Sequence, residues 1–420
     1  MTRSRWPRCW RSVALLAAGF LASCLLPLAA DAASLFAAAD ASALVVRGTV
    51  EQITPYDTIK LQVFRVKVGR VLKGEVAVGE TIDLAQEMLF ASTKPYFVTG
   101  TETLMLAVPL PGYSAFRKVL PDGTYWRWTE RLETAADVAV LTDPVLTEVV
   151  ARYLSVRDDA EAAADFFVSV LTGPNARLRQ DALSAIGSRA EIPPLLDAGR
   201  LKPLAAWLGD TRLPPAERAQ VLVQLARVRA TGVVELAEGL AATSGALQAA
   251  AVDALVSLDK PPPPERLIGW SRSSDGALRL VAARGLAKVG SPAAVDRLAE
   301  MLADDPSTEV RVGIAHALGR RAPSARIITL LTDALAAKEK EVVLAAADSL
   351  GRLGTHEAMV ALGGVLEHGN PDAQMAAAFA LKQSNTREGK EILEQVEMNH
   401  PDPKVRKLCR LALGESMHEH

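Results

Sequence analysis

The sequence predicts an α+β multidomain chain in which a small β-barrel or sandwich precedes a long all-α solenoid. Three observations carry this. An apolar phrase recurs about every thirty residues through the last two-thirds of the chain. The region before it alternates apolar and polar residues with a period of two. The composition, 49% apolar but only 5% aromatic over 420 residues, suits Ala- and Leu-rich helices and is long enough for two structural units.

In chain order, residues 1–32 read as a secretory signal peptide. Arg3, Arg5, Arg8 and Arg11 form a basic leader, an apolar stretch runs from Val13 to Ala30, and Ala30-Asp31-Ala32 offers a small-x-small cleavage site. Cleavage after Ala32 removes four arginines and one aspartate, taking the net charge from −2 to −5. Leu21-Ala22-Ser23-Cys24 also resembles a bacterial lipobox, although the residues after Cys24 stay hydrophobic. The expected location is therefore periplasmic, with a membrane-anchored lipoprotein acylated at Cys24 as the alternative. No later segment is apolar for long enough to cross a bilayer. Cysteines are too few for a disulfide framework: Cys9 and Cys24 lie in the leader, and Cys409 falls on a core position of the last repeat, where a buried small side chain is expected.

Residues 40–140 read as a β-rich module. Strands are expected at Leu44–Val50, Ile59–Val71, Thr81–Leu84, Leu104–Val108 and Tyr125–Trp128, punctuated by Gly74, Gly79, Gly100, Pro109, Pro111 and Gly123. Five strands in this length suit a small barrel or sandwich. Val71-Leu72-Lys73-Gly74 after an alternating strand resembles the netrin-like OB barrels. Inhibitors of that type use an N-terminal cysteine, which the mature chain would lack, so the resemblance implies no inhibitor role.

Residues 145–415 read as an α-solenoid of about eight repeats. The closing apolar residues are Ile186, Leu225, Leu255, Leu286, Leu318, Leu350, Leu381 and Leu413, spaced 30 to 32 residues apart after a first step of 39. Counting back from each, positions −7, −4, −3 and 0 share one helix face. Position −1 is small in every copy but one: Ala185, Ala254, Gly285, Ala317, Ser349, Ala380 and Ala412, with Gln224 as the exception. Small residues there let neighbouring helices come close. Pro261–Pro264 is expected to stiffen a turn between helices.

The phrase Val-Arg-x-x-x-Ala-x-Ala-Leu-Gly after Asp-Pro, clearest at Asp305-Pro306…Gly319 and Asp402-Pro403…Gly414, resembles the HEAT repeat, in particular the short bacterial type found in phycobilin lyases. The resemblance implies antiparallel helix pairs whose second helices line a concave groove. Its arginine stands at −7 as Arg179, Arg218, Arg279, Arg311 and Arg406, and is replaced by Gln248, Gln374 and Val343. These arginines are expected to lie on apolar surface and pair with an acid of the preceding turn, Asp275 for Arg279 and Asp402 for Arg406.

The motifs that carry chemistry are sparse. Ser257-Leu258-Asp259-Lys260 has the Ser-x-x-Lys spacing of penicillin-binding enzymes but none of their companion motifs. Deoxyhypusine hydroxylase, an enzyme built of HEAT repeats, binds two irons through several His-Glu pairs. This chain has only His356-Glu357 and His418-Glu419, too few for such a site. No cofactor or metal is expected, and a net charge of −2 gives no electrostatic footprint for nucleic acid.

A recognition surface is expected instead on the column at −2 and −5. It contains Asp181 and Ser184, Gln220 and Val223, Ala250 and Asp253, Val281 and Arg284, Gly313 and His316, Ala345 and Asp348, Ala376 and Phe379, and Leu408 and Leu411. The stripe turns from polar to apolar toward the C-terminus, where a terminal helix is expected to cover Leu408 and Leu411. Asp253, Arg284, His316, Asp348 and Phe379 are the candidate partner contacts. The sequence reads as an exported, non-catalytic scaffold for a protein of the bacterial envelope. The alternative is a pigment- or cofactor-handling enzyme of the HEAT-repeat lyase type.

Overall fold

The computed structural model describes residues 34–56, 60–87, 97–111, 116, 119–129, 141–243 and 245–414. The leader with Cys24, and His418-Glu419, lie outside these residues. The chain divides into two compact units, Met1–Leu195 and Leu196–His420.

The first unit holds a closed five-stranded barrel. Its strands are β1 (Leu44–Tyr56), β2 (Leu61–Lys73), β3 (Thr81–Glu87), β4 (Glu102–Pro109) and β5 (Tyr125–Trp128), in the order β1-β2-β3-β5-β4. All neighbours are antiparallel except β3 and β5. The choice between barrel and sandwich is settled by β5, which pairs with both β3 and β4 and closes the sheet on itself. Alternation along β2 sends Phe64, Val66 and Val68 inward, with Arg65 and Lys67 exposed between them. Phe97 packs edge-on to Phe64 and stacks on Trp128, both at 5.6 Å. Register shifts beside Gly48 bend β1. A Cβ at Gly48 would sit 2.7 Å from the Lys67 carbonyl oxygen, so only glycine fits this close strand approach.

Helix α1 (Leu35–Ala41) precedes the barrel, and α2 (Pro144–Val156), α3 (Ala160–Leu171) and α4 (Ala176–Ser188) follow it. Ser34, Asp143, Asp159 and Asn175 cap their N-termini through side-chain oxygens. Phe36 of α1 is fully buried among Tyr153, Phe166 and Phe167, with ring centroids 4.9–5.7 Å away. The barrel is tied to these helices by cations. Arg47 donates to Thr147 at 2.7 Å and pairs with Glu102 at 3.1 Å, while Lys73 donates to the Ala39 and Asp40 carbonyls at the end of α1.

The second unit is a run of helix pairs. Each pair's second helix packs on the second helix of the next pair, and their order is α6 (Pro215–Arg227), α8 (Gln248–Ser257), α10 (Gly276–Val289), α12 (Thr308–Leu318), α14 (Lys340–Leu353), α16 (Pro371–Ser384) and α18 (Pro403–Leu413). The first helices are α5 (Lys202–Gly209), α7 (Val233–Ala242), α9 (Pro264–Trp270), α11 (Pro292–Asp304), α13 (Ala325–Ala334), α15 (His356–His368) and α17 (Arg387–Asn399). Pro264 opens α9, where its missing N–H costs nothing. The closing residues Leu225, Leu255, Leu286, Leu318, Leu350 and Leu381 are all buried, as is Cys409, whose thiol burial pushes up to about 11. The small −1 residues are needed for contact: a Cβ at Gly285 would come within 2.7 Å of Leu267, and Ser349 donates to the Ala315 carbonyl of the preceding repeat at 2.9 Å.

The −7 side chains have a different partner from the expected one. Arg218 donates to the Leu208 carbonyl at 2.7 Å and Arg406 to those of His400 and Pro401. Arg279 donates to Ser273 and Ser274. In the first unit Arg179 donates to Gly173. Gln248 and Gln374 do the same to Ala241 and Leu366. At these six positions the column thus holds carbonyls left over where the preceding helix ends. An aliphatic stem with a donor at its tip is what this requires, which explains why Gln replaces Arg. Arg279 does not pair with Asp275 but crosses to Asp305 of the next repeat, and Arg311 pairs with Glu339 at 2.6 Å.

Candidate interaction face of the helical repeats

On the second helices, −4 and 0 point into the repeat and −1 toward the preceding one, which leaves −2 as the open position. The structure narrows the predicted column to it. At −5, Val281, Ala345 and Ala376 are buried, and a Cβ at Gly313 would meet the Leu280 side chain at 2.2 Å. Position −5 is one turn further toward the neighbouring helix, whose side chains overlap it. Asp181, on the first unit's α4, is also buried rather than open. It pairs with Arg177 at 3.3 Å, accepts from the Leu35 backbone at the start of α1, and has its carboxyl pushed up by burial.

Asp253, Arg284, His316, Asp348 and Phe379 are each half-buried, one on each successive second helix from α8 to α16. Four of them meet across repeat boundaries. The Arg284 guanidinium lies 2.8 Å from the Asp253 carboxylate, and His316 Nδ1 lies 3.7 Å from Asp348. Asp348 also accepts from Arg352, one turn along its own helix. Burial lowers the His316 pKa most; Asp348 opposes this, while Arg352 and Arg320 reinforce it. The imidazole is therefore neutral near pH 7 and presents one donor and one acceptor.

The face becomes apolar at its far end. Phe379 stands on α16, and Leu408 and Leu411 on α18. Leu411 is 47% exposed, and the terminal helix expected to cover it lies outside the described residues. Basic residues edge the face two positions past the closing leucine: Arg227, Lys288, Arg320 and Arg352. Lys288 pairs with Asp259 at 2.5 Å and Arg352 with Asp348. Arg320 is exposed and has no ion pair among the described residues.

The barrel carries a separate shallow cleft between Gln52, Thr54, Tyr56, Arg65, Asp83, Pro121, Asp122, Gly123 and Tyr125. Arg65 forks onto Asp83 through two contacts of 2.9 Å, which leaves Asp122 as the remaining charge of its lining. His356 lies 2.5 Å from Glu388, an exposed link between first helices. Among the described residues no group of three or more His, Cys, Asp or Glu is placed to hold a metal ion, and no helix is long and apolar enough to cross a membrane.

A family model described as HEAT repeats matches residues 233–319 and 302–368, the segment that contributes most of this face. No curated protein matches the sequence. Similar solved structures include human deoxyhypusine hydroxylase in complex with glycerol, 17% identical, covering 63% of this chain and 99% of that one with a TM-score of 0.28. The Escherichia coli protein YibA is 16% identical, covering 62% and 97% with a TM-score of 0.36. An engineered protein is 21% identical, covering 63% and 85% with a TM-score of 0.34.

Proposed function

We propose that this chain is an exported, non-catalytic scaffold that binds a protein of the bacterial envelope on the −2 face of its second helices. The observation that carries the reading is the face itself. Five half-buried side chains of mixed chemistry stand in a row, one per repeat, on the open position of the second helices. Ionic residues followed by an aromatic and an exposed leucine form a surface suited to a protein partner. The titratable groups of the row are occupied with one another rather than converging on one pocket, which favours binding over a lyase-type activity. The short phycobilin-lyase type remains the family resemblance of the repeats, and pigment handling is the second reading. Export rests on the leader at residues 1–32. The strand order of the barrel, with β3 and β5 parallel, suits an OB-type module in a supporting role.

The test is co-purification of the full chain from the cell envelope, beside a His316→Glu/Arg320→Glu variant. A protein retained by the wild type and lost from the variant supports the scaffold. The same set of proteins on both, or a bound chromophore in place of any protein, contradicts it. Mass spectrometry of the mature N-terminus checks export: a chain starting at Ala33 fits signal cleavage, an acylated Cys24 fits the lipoprotein alternative, and an intact Met1 contradicts both.

A further inference from the structure

The −2 face also specifies the chemistry of what lies on it. Its charges are unevenly balanced. Arg284 is matched by Asp253, and Asp348 is shared between Arg352 and His316. Arg320, beside them at the exposed edge, has no carboxylate among the described residues. Asp348 thus serves two nitrogen groups, and Arg320 is left without an acid at the centre of the face. One and two repeats beyond Arg352, Phe379 and Leu411 supply an apolar surface with nothing described above Leu411. Adjacent packed helices stand roughly 10 Å apart. An extended chain crossing them covers about 3.3 Å per residue, so one repeat corresponds to about three residues and two repeats to about six.

We propose that this face takes an extended peptide segment whose carboxylates sit over Arg320 and Arg352 and whose apolar side chain, about three to six residues beyond the carboxylate on Arg352, packs on Phe379 and Leu411. This rests on the scaffold reading and adds the partner's chemistry to it. The guanidiniums recognise the carboxylates in the planar, two-point manner that arginine favours. Neutral His316 supplies a hydrogen bond to the segment's backbone without adding charge. The half of the face with the unmatched cation selects against basic segments, because a like charge there has only Asp348 to meet it.

The test is fluorescence anisotropy of the full-length protein with synthetic peptides carrying an Asp and a Glu about three residues apart, then a Leu-Phe pair separated from the Glu by glycine-serine spacers of increasing length. A second series carries Lys in place of both acids. The acidic series is expected to bind best at a spacing of about three to six residues, and the basic series at least about tenfold more weakly. Arg320→Glu should remove the preference between the series. Leu411→Asp should weaken the acidic series without changing the preference. Both positions are exposed, so unchanged thermal melts are expected to accompany these losses. Equal binding of the two series, no binding of either, or an unaffected Arg320→Glu protein would overturn the proposal. A partner that binds at His316 in cells through a basic or wholly polar segment would also overturn it, while leaving the scaffold reading in place.

Discussion

Arg279 forks onto Asp305 across a repeat boundary, with Nε and Nη2 at 2.9 and 3.0 Å from the two carboxylate oxygens. Asp305 is almost wholly buried, and it also accepts from the Ser307 backbone at 2.9 Å. One carboxylate therefore fixes the start of a second helix and anchors the repeat before it. Arg279 meanwhile donates to Ser273 and Ser274, so the same guanidinium joins three segments.

Removing Asp305 leaves a largely buried guanidinium without its counter-charge. Asp305→Ala is expected to cost about 3 kcal/mol, read as a loss of cooperative stability in urea unfolding. Burial raises the Asp305 pKa, but the hydrogen bonds from Arg279 and Ser307 outweigh it and hold the carboxyl below its ordinary 3.8. The unfolded chain takes up the proton first as pH falls. The contribution is thus complete above about pH 5 and is lost as pH drops through 3.8 toward the folded value. The variant should show a shallower acid limb than the wild type; the same limb in both would contradict this assignment.

The carbonyl-holding column predicts an unusual tolerance. Arg218→Gln should cost much less than Arg218→Ala, because Gln248 and Gln374 already perform this task. The alanine variant leaves the Leu208 carbonyl without its buried donor and should lose about 1–3 kcal/mol. Thermal denaturation of the two variants separates a donor requirement from a charge requirement: equal losses would mean that charge is what matters.

Two glycines should respond in opposite directions to alanine. A Cβ at Gly232 would lie 2.3 Å from the backbone of Asp197 and Ala198, and neither can move aside cheaply. Gly232→Ala is expected to cost about 1–3 kcal/mol. Gly239 sits within α7 with open space around it, so Gly239→Ala should stabilise by about 0.4–1 kcal/mol. Denaturant midpoints of the pair check the packing at the start of the second unit.

His316 gives the face a pH signature. With its pKa lowered chiefly by burial, it stays neutral in the folded state at a pH where the unfolded chain is already protonated. Its contribution is present above the ordinary 6.5 and falls away as pH drops through that value toward the folded one. NMR titration should place the His316 midpoint below 6.5. Asp348→Asn removes the attraction that opposes the shift and should lower the midpoint further; a rise would contradict the geometry.

Much of the fold is legible in the sequence because each signal is local. The repeat places Leu255, Leu286, Leu318 and Leu350 in the core, since a closing residue packs within its own helix pair. The five strands follow from alternation, but their closure does not: β5 must reach both β3 and β4, and nothing in Tyr125–Trp128 encodes that. The candidate face was half legible. A helical wheel gives −2 and −5 similar directions, and only the neighbouring helix decides that Ala345 is covered while Asp348 stays open. The partner of Arg279 was hidden for the same reason. Asp275 is near in sequence and fits the helix start, whereas Asp305 belongs to the next repeat and is reached only once repeats stack.

Occupation of the −2 face by a protein can be read in the cell. The most direct test is a photoreactive amino acid in place of His316 in living cells, with another at Val360, an exposed position on first helix α15, as control. Mass spectrometry then identifies the adducts. One dominant protein adduct is expected from position 316 and none from position 360. Adducts from both positions alike, or from neither, would contradict it.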